Sequence, residues 1–135
     1  MRGVLLAVLA ELSEVGDGMR PLVYIACPVT RGNRNHNYYQ ACEAERQLMD
    51  AGFAPQNPTH TMILPFSWQE EYPYEMWLDC CYPLIARVDA VLRLPGYSSG
   101  ADSECRFADE RGIPIFYSVE ELALWQKARQ SKATA

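Results

Sequence analysis

The chain has 135 residues, of which 49% are hydrophobic, 21% charged and 11% aromatic. This is a globular composition that fits one domain of about 100–200 residues and excludes disordered, collagen-like and disulfide-scaffold classes. A formal net charge of -5 opposes the broad basic footprint of a nucleic-acid polymer binder and favours a small polar ligand. At the N-terminus, Arg2 and the apolar run Val4 to Ala10 share the order of a signal peptide, but Glu11 and Glu14 follow without a small-residue cleavage box. The run also falls far short of the ~20 residues that cross a bilayer. Leu5, Val8, Leu9, Leu12 and Val15 recur at helical spacing, which predicts a helix over Val4–Val15. Residues 1–18 therefore read as an appendage to a single domain spanning 19–135.

From Leu22 the pattern is regular. Leu22 to Ala26 is a continuous apolar run suited to a strand covered on both faces. Asn35 to Ala51 predicts a helix, capped by Asn35, stopped by Gly52, with Tyr38, Ala41, Cys42, Leu48 and Met49 on one side. Phe53 to Gln56 predicts a short strand that Pro55 assigns to a sheet edge. Asn57 to Glu71 is a loop. A helix from Pro73 to Arg87 follows, with Trp77, Leu78, Cys81, Leu84 and Ile85 as its apolar stripe and a kink at Pro83. Ala90 to Leu94 is a buried strand, Gly100 to Arg111 a helix, Ile113 to Tyr117 a strand and Val119 to Arg129 a last helix, beyond which Gln130 to Ala135 is expected to fray.

Strands alternating with helices imply a parallel sheet of four or five strands with helices on both faces. The predicted fold class is thus α/β, a three-layer flavodoxin-like or Rossmann-like domain. Ligands of such sheets bind beyond the carboxyl ends of the strands, which selects the loops after Ala26, Gln56 and Leu94. The last of these reads Pro95-Gly96-Tyr97-Ser98-Ser99-Gly100-Ala101-Asp102-Ser103-Glu104. Two readings stay open for it: a phosphate- or carboxylate-accepting helix start, or a plain cap with Ser99 at the cap position and Asp102 in the first turn. Glu104 borders the stripe of Ala101, Cys105 and Ala108, so a carboxylate there is expected to be ionised yet partly shielded, as a nucleophile requires. Asp79 lies nearly opposite Trp77, Cys81 and Ile85, which predicts a solvated side chain. Tyr24 reads as a core residue whose hydroxyl finds a partner, Asp89 as a group that satisfies loop amides. Arg93, inside an apolar strand, requires Asp102 or an anionic ligand beside it. The five cysteines, Cys27, Cys42, Cys80, Cys81 and Cys105, form no Cys-x-x-Cys pair, and His36 and His60 are the only imidazoles. Spacing therefore predicts structural thiols in a reducing cytosol and no metal site.

Taken in order, Tyr24-Ile25-Ala26-Cys27-Pro28-Val29-Thr30, Asn57-Pro58-Thr59-His60, Asp79, Asp89-Ala90-Val91-Leu92-Arg93-Leu94-Pro95-Gly96 and Ser98-Ser99-Gly100-Ala101-Asp102-Ser103-Glu104 resemble the nucleoside 2-deoxyribosyltransferase superfamily, over about Leu22 to Ser118. In this chain Cys27-Pro28 stands where glycine-proline is usual. The resemblance implies cleavage of an N-glycosidic bond in a 2′-deoxynucleoside or its 5′-monophosphate, by hydrolysis or transfer to another base. It implies Glu104 as the nucleophile at the anomeric carbon, Asp79 as the residue that places the sugar and handles the proton at the base, and Tyr24 as the group that holds Glu104. It also puts Pro28, Asn57, Ser99 and Gly100 at the substrate. Ser98 stands where transferases acting on free nucleosides carry aspartate; a serine tolerates a phosphate, so Ser98, Ser99 and Arg93 point to a 5′-monophosphate and to hydrolysis. Tyr72, Tyr74 or Trp68 is expected to stack on the base, and Ser118 is the candidate for a residue supplied by a neighbouring subunit.

The implied partners are a deoxynucleotide or deoxynucleoside and further copies of the chain in a homodimer or larger homo-oligomer. No cofactor, nucleic-acid polymer or membrane is expected, and the expected compartment is the cytoplasm. A nucleotide-binding module without turnover, or a scaffold that docks through its terminal helices, remains the alternative to an enzyme, since a fold by itself names no reaction.

Overall fold

The computed structural model describes residues 18–63 and 70–134. The helix expected over Val4–Val15 and the aromatic Trp68 lie outside these residues. Four strands, β1 (Leu22–Ala26), β2 (Ala54–Gln56), β3 (Ala90–Arg93) and β4 (Ile115–Phe116), form one all-parallel sheet in the order β2-β1-β3-β4. The helices are α1 (Arg34–Asp50), α2 (Tyr74–Ile85), α3 (Ser99–Glu110) and α4 (Val119–Thr134), with a 3₁₀ turn over Pro58–Ile63. The domain is a three-layer α/β fold of the flavodoxin-like kind, with β2 and its Pro55 at an edge as the sequence predicts.

Side-chain alternation along the strands builds the two helix layers. Val23, Ile25 and Leu92 point to one face, where they meet Ala41, Ala44 and Leu48 of α1 and Leu122 and Ala123 of α4. Tyr24, Ala26 and Val91 point to the other, against Ile85 of α2 and Ala101 and Ala108 of α3. After β1 the chain crosses to β2 on one side, then returns to place β3 on the other. The helices that follow β1 and β3 therefore pack on opposite faces of the sheet, and a cleft opens between the two connections.

Several boundaries move for identifiable reasons. The cap of α1 is Asn33, whose side chain accepts from the backbone N–H of His36 at 3.0 Å; Asn35 falls within the first turn. Met49 of the expected apolar stripe is exposed, and Asn37 is buried in that layer instead. Its Nδ2 donates to the carbonyls of Val29, at 3.2 Å, and Arg31, at 2.7 Å, tying the loop after β1 to the helix. Leu84 of the α2 stripe is likewise exposed. Strand β4 is shorter than expected because its flanking donors are used elsewhere. The N–H of Ile113 closes the end of α3 on the Ala108 carbonyl, Pro114 has none, and that of Tyr117 donates to Glu121 at 2.9 Å. Ser118 accepts from the N–H of Glu121, completing a reciprocal cap for α4. The fraying expected from Gln130 onward does not occur: α4 runs to Thr134, and no glycine or proline interrupts Val119–Thr134.

Gly96, at φ 113°, turns the chain after β3, and a Cβ built there would lie 2.9 Å from Cγ of the buried Pro28. The loops after β1 and β3 thus touch where only glycine fits. Gly96→Ala is expected to lower stability by about 1–3 kcal/mol through combined backbone and steric strain, read as a lower urea midpoint with an unchanged slope.

Candidate active site

One residue of the α2/α3-facing set on β1 and β3 decides the site. Tyr24 is fully buried, and its hydroxyl reaches across the layer to donate a short hydrogen bond to the carboxylate of Glu104 on α3. Glu104 is itself only 6% exposed. Burial pushes its carboxyl up to about 7, against the opposing effects of the Tyr24 hydrogen bond, a second hydrogen bond from the Cys81 thiol and the more distant Arg93 charge. The helical wheel put Glu104 at the border of the stripe and expected it ionised; its burial makes it instead an acid poised near neutrality. Tyr24 is driven far above its ordinary value, first by burial and then by the Glu104 charge, and so stays a neutral donor.

Above this pair lies a cavity of about 510 Å³, within the range of small-ligand sites. Ser98, Ser99 and Gly100 at the start of α3 form one wall, and Arg31 from the loop after β1 and Arg34, the first residue of α1, face the same space. Ser98 rather than Ser99 caps the helix. Its Oγ accepts from the N–H of Ala101 at 3.1 Å, which leaves its O–H proton available to a ligand. A Cβ on Gly100 would sit 2.7 Å from the Tyr74 hydroxyl, so this position must lack a side chain for Tyr74 to approach α3. Tyr72, Tyr74 and Trp77 line the cavity as well, Tyr72 and Trp77 edge to face at 6.0 Å. Cys27 and Cys81 border it, but burial raises their thiols to about 12 and about 11. Neither is a thiolate at neutral pH, which leaves Glu104 as the nucleophile candidate of the cavity.

Other expected residues lie elsewhere. Arg93 donates to the carbonyls of Leu94 and Gly96 and pairs with Asp102 at 3.1 Å, the protein partner that its strand position demanded. It lines a separate cavity of about 450 Å³ shared with Asp102 and Tyr117. The structure does not bring Arg93 to Ser98 and Ser99. Asn57 is buried among protein partners: its Nδ2 donates to Glu45 at 2.9 Å, and its Oδ1 accepts from the N–H of Thr59 at 2.9 Å to start the 3₁₀ turn. Pro28 packs on Gly96, and its neighbours Cys27 and Val29 face the cavity. Asp79 is exposed and outside the lining, as its wheel position predicts and contrary to the role implied for it. Asp89 accepts from the N–H of Leu22 at 2.8 Å, a loop-satisfying role.

Arg31 and Arg34 escaped the sequence reading. Their signal was topological: Arg31 lies in the loop after β1, one of the three that the parallel sheet singles out, and Arg34 opens the helix that follows it.

Fold and site together define a parallel α/β domain with a buried carboxylate–tyrosine pair beneath a cleft at the carboxyl ends of its central strands. Within that class the chain belongs to the family described as a domain of unknown function, DUF4406, whose profile matches residues 21–117. The match runs from the residue before β1 to the residue after β4 and contains both Tyr24 and Glu104. No curated protein and no solved structure matches the chain.

Because folding raises the Glu104 carboxyl from 4.5 to about 7, its contribution to stability is fully present below about pH 4.5 and is lost as pH rises through about 7. Glu104→Gln is expected to flatten this decline and, above pH 8, to be more stable than the parent by on the order of 3 kcal/mol at most. Urea denaturation across pH 4–9, compared between the two proteins, measures the difference.

Proposed function

We propose that the protein cleaves the N-glycosidic bond of a 2′-deoxynucleoside 5′-monophosphate, or of the free 2′-deoxynucleoside, with Glu104 attacking the anomeric carbon. The observation that carries this reading is the buried Glu104 carboxyl, held by Tyr24 and open to a cavity whose other walls suit a nucleotide. Arg31, Arg34, the Ser98 hydroxyl and the free N–H groups at the start of α3 supply positive potential for a 5′-phosphate. Tyr72, Tyr74 and Trp77 supply aromatic surface for the base.

In the ionised form, a Glu104 oxygen bonds to the anomeric carbon as the C–N bond breaks through an oxocarbenium-like transition state, and the Tyr24 hydrogen bond holds the carboxylate in line. The departing base gains a proton, which we assign to solvent because Asp79 is exposed and outside the cavity lining. Water then adds to the anomeric carbon, releases the sugar phosphate and restores the carboxylate. We place the reaction in the reducing cytosol, where five free thiols persist. We also infer a homo-oligomer: Tyr72, Met76 and Leu84 lie exposed at four- or eight-residue intervals along α2 and its approach. No helix among the described residues is long and apolar enough to cross a membrane.

A second reading, nucleotide binding without turnover, draws on the placement of Asp79, which leaves the leaving base without an acid from the protein. Chromatography of a panel of deoxynucleosides and their monophosphates, with and without a free acceptor base, separates the two. Base release is expected, to rise with pH through an apparent pKa near 7, and to fall at least about 10²-fold in Glu104→Ala but not in the exposed control Glu120→Ala. Binding without release across the panel establishes the second reading. Arg31→Ala or Arg34→Ala is expected to raise KM for a monophosphate by about 10-fold or more, the loss of a charge-assisted hydrogen bond, with little effect on the matching nucleoside. Equal effects on both substrates would remove the phosphate assignment.

A further inference from the structure

Between α1 and the turn that follows β2, three metal-ligating side chains converge. Cys42 and Glu45 stand one turn apart on α1, and His60 comes from the 3₁₀ turn that follows β2. The Cys42 sulfur, a Glu45 carboxylate oxygen and a His60 ring nitrogen all lie within 4.8 Å of one another. We propose that Cys42, Glu45 and His60 form a binding site for a divalent transition metal of the zinc type, with water as the fourth ligand.

The donor chemistry selects the ion. Thiolate, imidazole and carboxylate together suit zinc and disfavour magnesium or calcium, which take oxygen ligands. Zinc bond lengths of about 2.0–2.3 Å at a tetrahedral angle place ligand atoms about 3.3–3.8 Å apart. Side-chain rotation within the 4.8 Å cluster reaches that spacing, with the 2.8 Å contact between Glu45 and His60 opening slightly. The outer contacts needed to orient such ligands are present. Asn57 donates to the Glu45 carboxylate at 2.9 Å, and the Tyr38 ring meets the His60 ring edge to face at 6.0 Å. A surface pair of histidine and glutamate contributes about 0–1 kcal/mol by itself and has no need of a sulfur beside it.

The position gives the ion a structural consequence. Strand β2 has three residues, one of them a proline, and the turn that leaves it carries His60 on one side and the cavity-lining Pro58 and Thr61. A metal bridging α1 to this turn would brace one wall of the Glu104 cavity. The inference stands whether or not that cavity performs glycosidic cleavage.

The test uses the full chain, stripped with a chelator under reducing conditions and titrated with Co²⁺ and then Zn²⁺. One equivalent of Co²⁺ is expected to give a thiolate-to-cobalt charge-transfer absorption that Zn²⁺ abolishes, and Zn²⁺ is expected to raise the thermal midpoint. Cys42→Ser removes the absorption, whereas Cys80→Ser, at an exposed thiol, leaves it intact. His60→Gln, at a position 46% exposed and safe for folding, weakens Zn²⁺ binding by at least about tenfold, the lower end of what even an outer ligand contact is worth. The proposal is overturned if the parent gives no charge-transfer absorption, if that absorption survives Cys42→Ser or vanishes in Cys80→Ser, or if His60→Gln binds Zn²⁺ as tightly as the parent.

Discussion

Placing an ionisable carboxyl inside an apolar layer is costly, and here the Tyr24–Glu104 hydrogen bond is what makes it tolerable. Tyr24 occupies the middle of the central strand β1, so its hydroxyl position is fixed by the sheet itself. Glu104 is in turn fixed by α3, which packs on β1 and β3 through Ala101 and Ala108. Small residues at those two positions let the helix approach closely enough for the two side chains to meet. The chemistry of the site therefore depends on sheet and helix packing rather than on loop conformation, which is the arrangement that holds reacting groups most closely in place.

The periphery of the cleft is held differently. The loop after β1 is tied by Asn37, the loop after β3 by Gly96 and Pro28, and the start of α3 by the Ser98 cap. Each tie uses a backbone group or a single side chain. A rigid floor under separately tethered walls allows the walls to change, and ligand preference with them, while the carboxylate–tyrosine pair stays put.

How far the sequence disclosed this depended on whether a feature has a period. Strand alternation and helix spacing carried the fold class and set Glu104 at the border of a buried stripe, because burial imposes a repeat on those elements, while Pro55 marked β2 as an edge. Arg93 was legible for another reason: a guanidinium inside an apolar strand demands an anion, and Asp102 was one of the two candidates, beside an anionic ligand. Asn37 was not, since a polar residue in a helix layer looks like a solvated one until the carbonyls it caps are located. Arg31 sits in an aperiodic loop and Arg34 at the helix start that follows it, where only topology marks them. Cys42, Glu45 and His60 were invisible to spacing because Glu45 and His60 lie fifteen positions apart, on either side of β2. The cap shift from Ser99 to Ser98 is the ordinary one-residue uncertainty of a helix end.

The two sheet edges also limit how a further strand could join this sheet. Strand β2 offers three residues with Pro55 in the middle, and β4 offers two. An approaching strand would find too few backbone donors and acceptors in line to continue the ladder, the same defence by which many folds avoid fibrous growth. Among the described residues neither edge offers a ladder for hydrogen-bonded extension, and a contact between copies would draw on the helix surfaces, where side-chain complementarity rather than backbone pairing sets the partner.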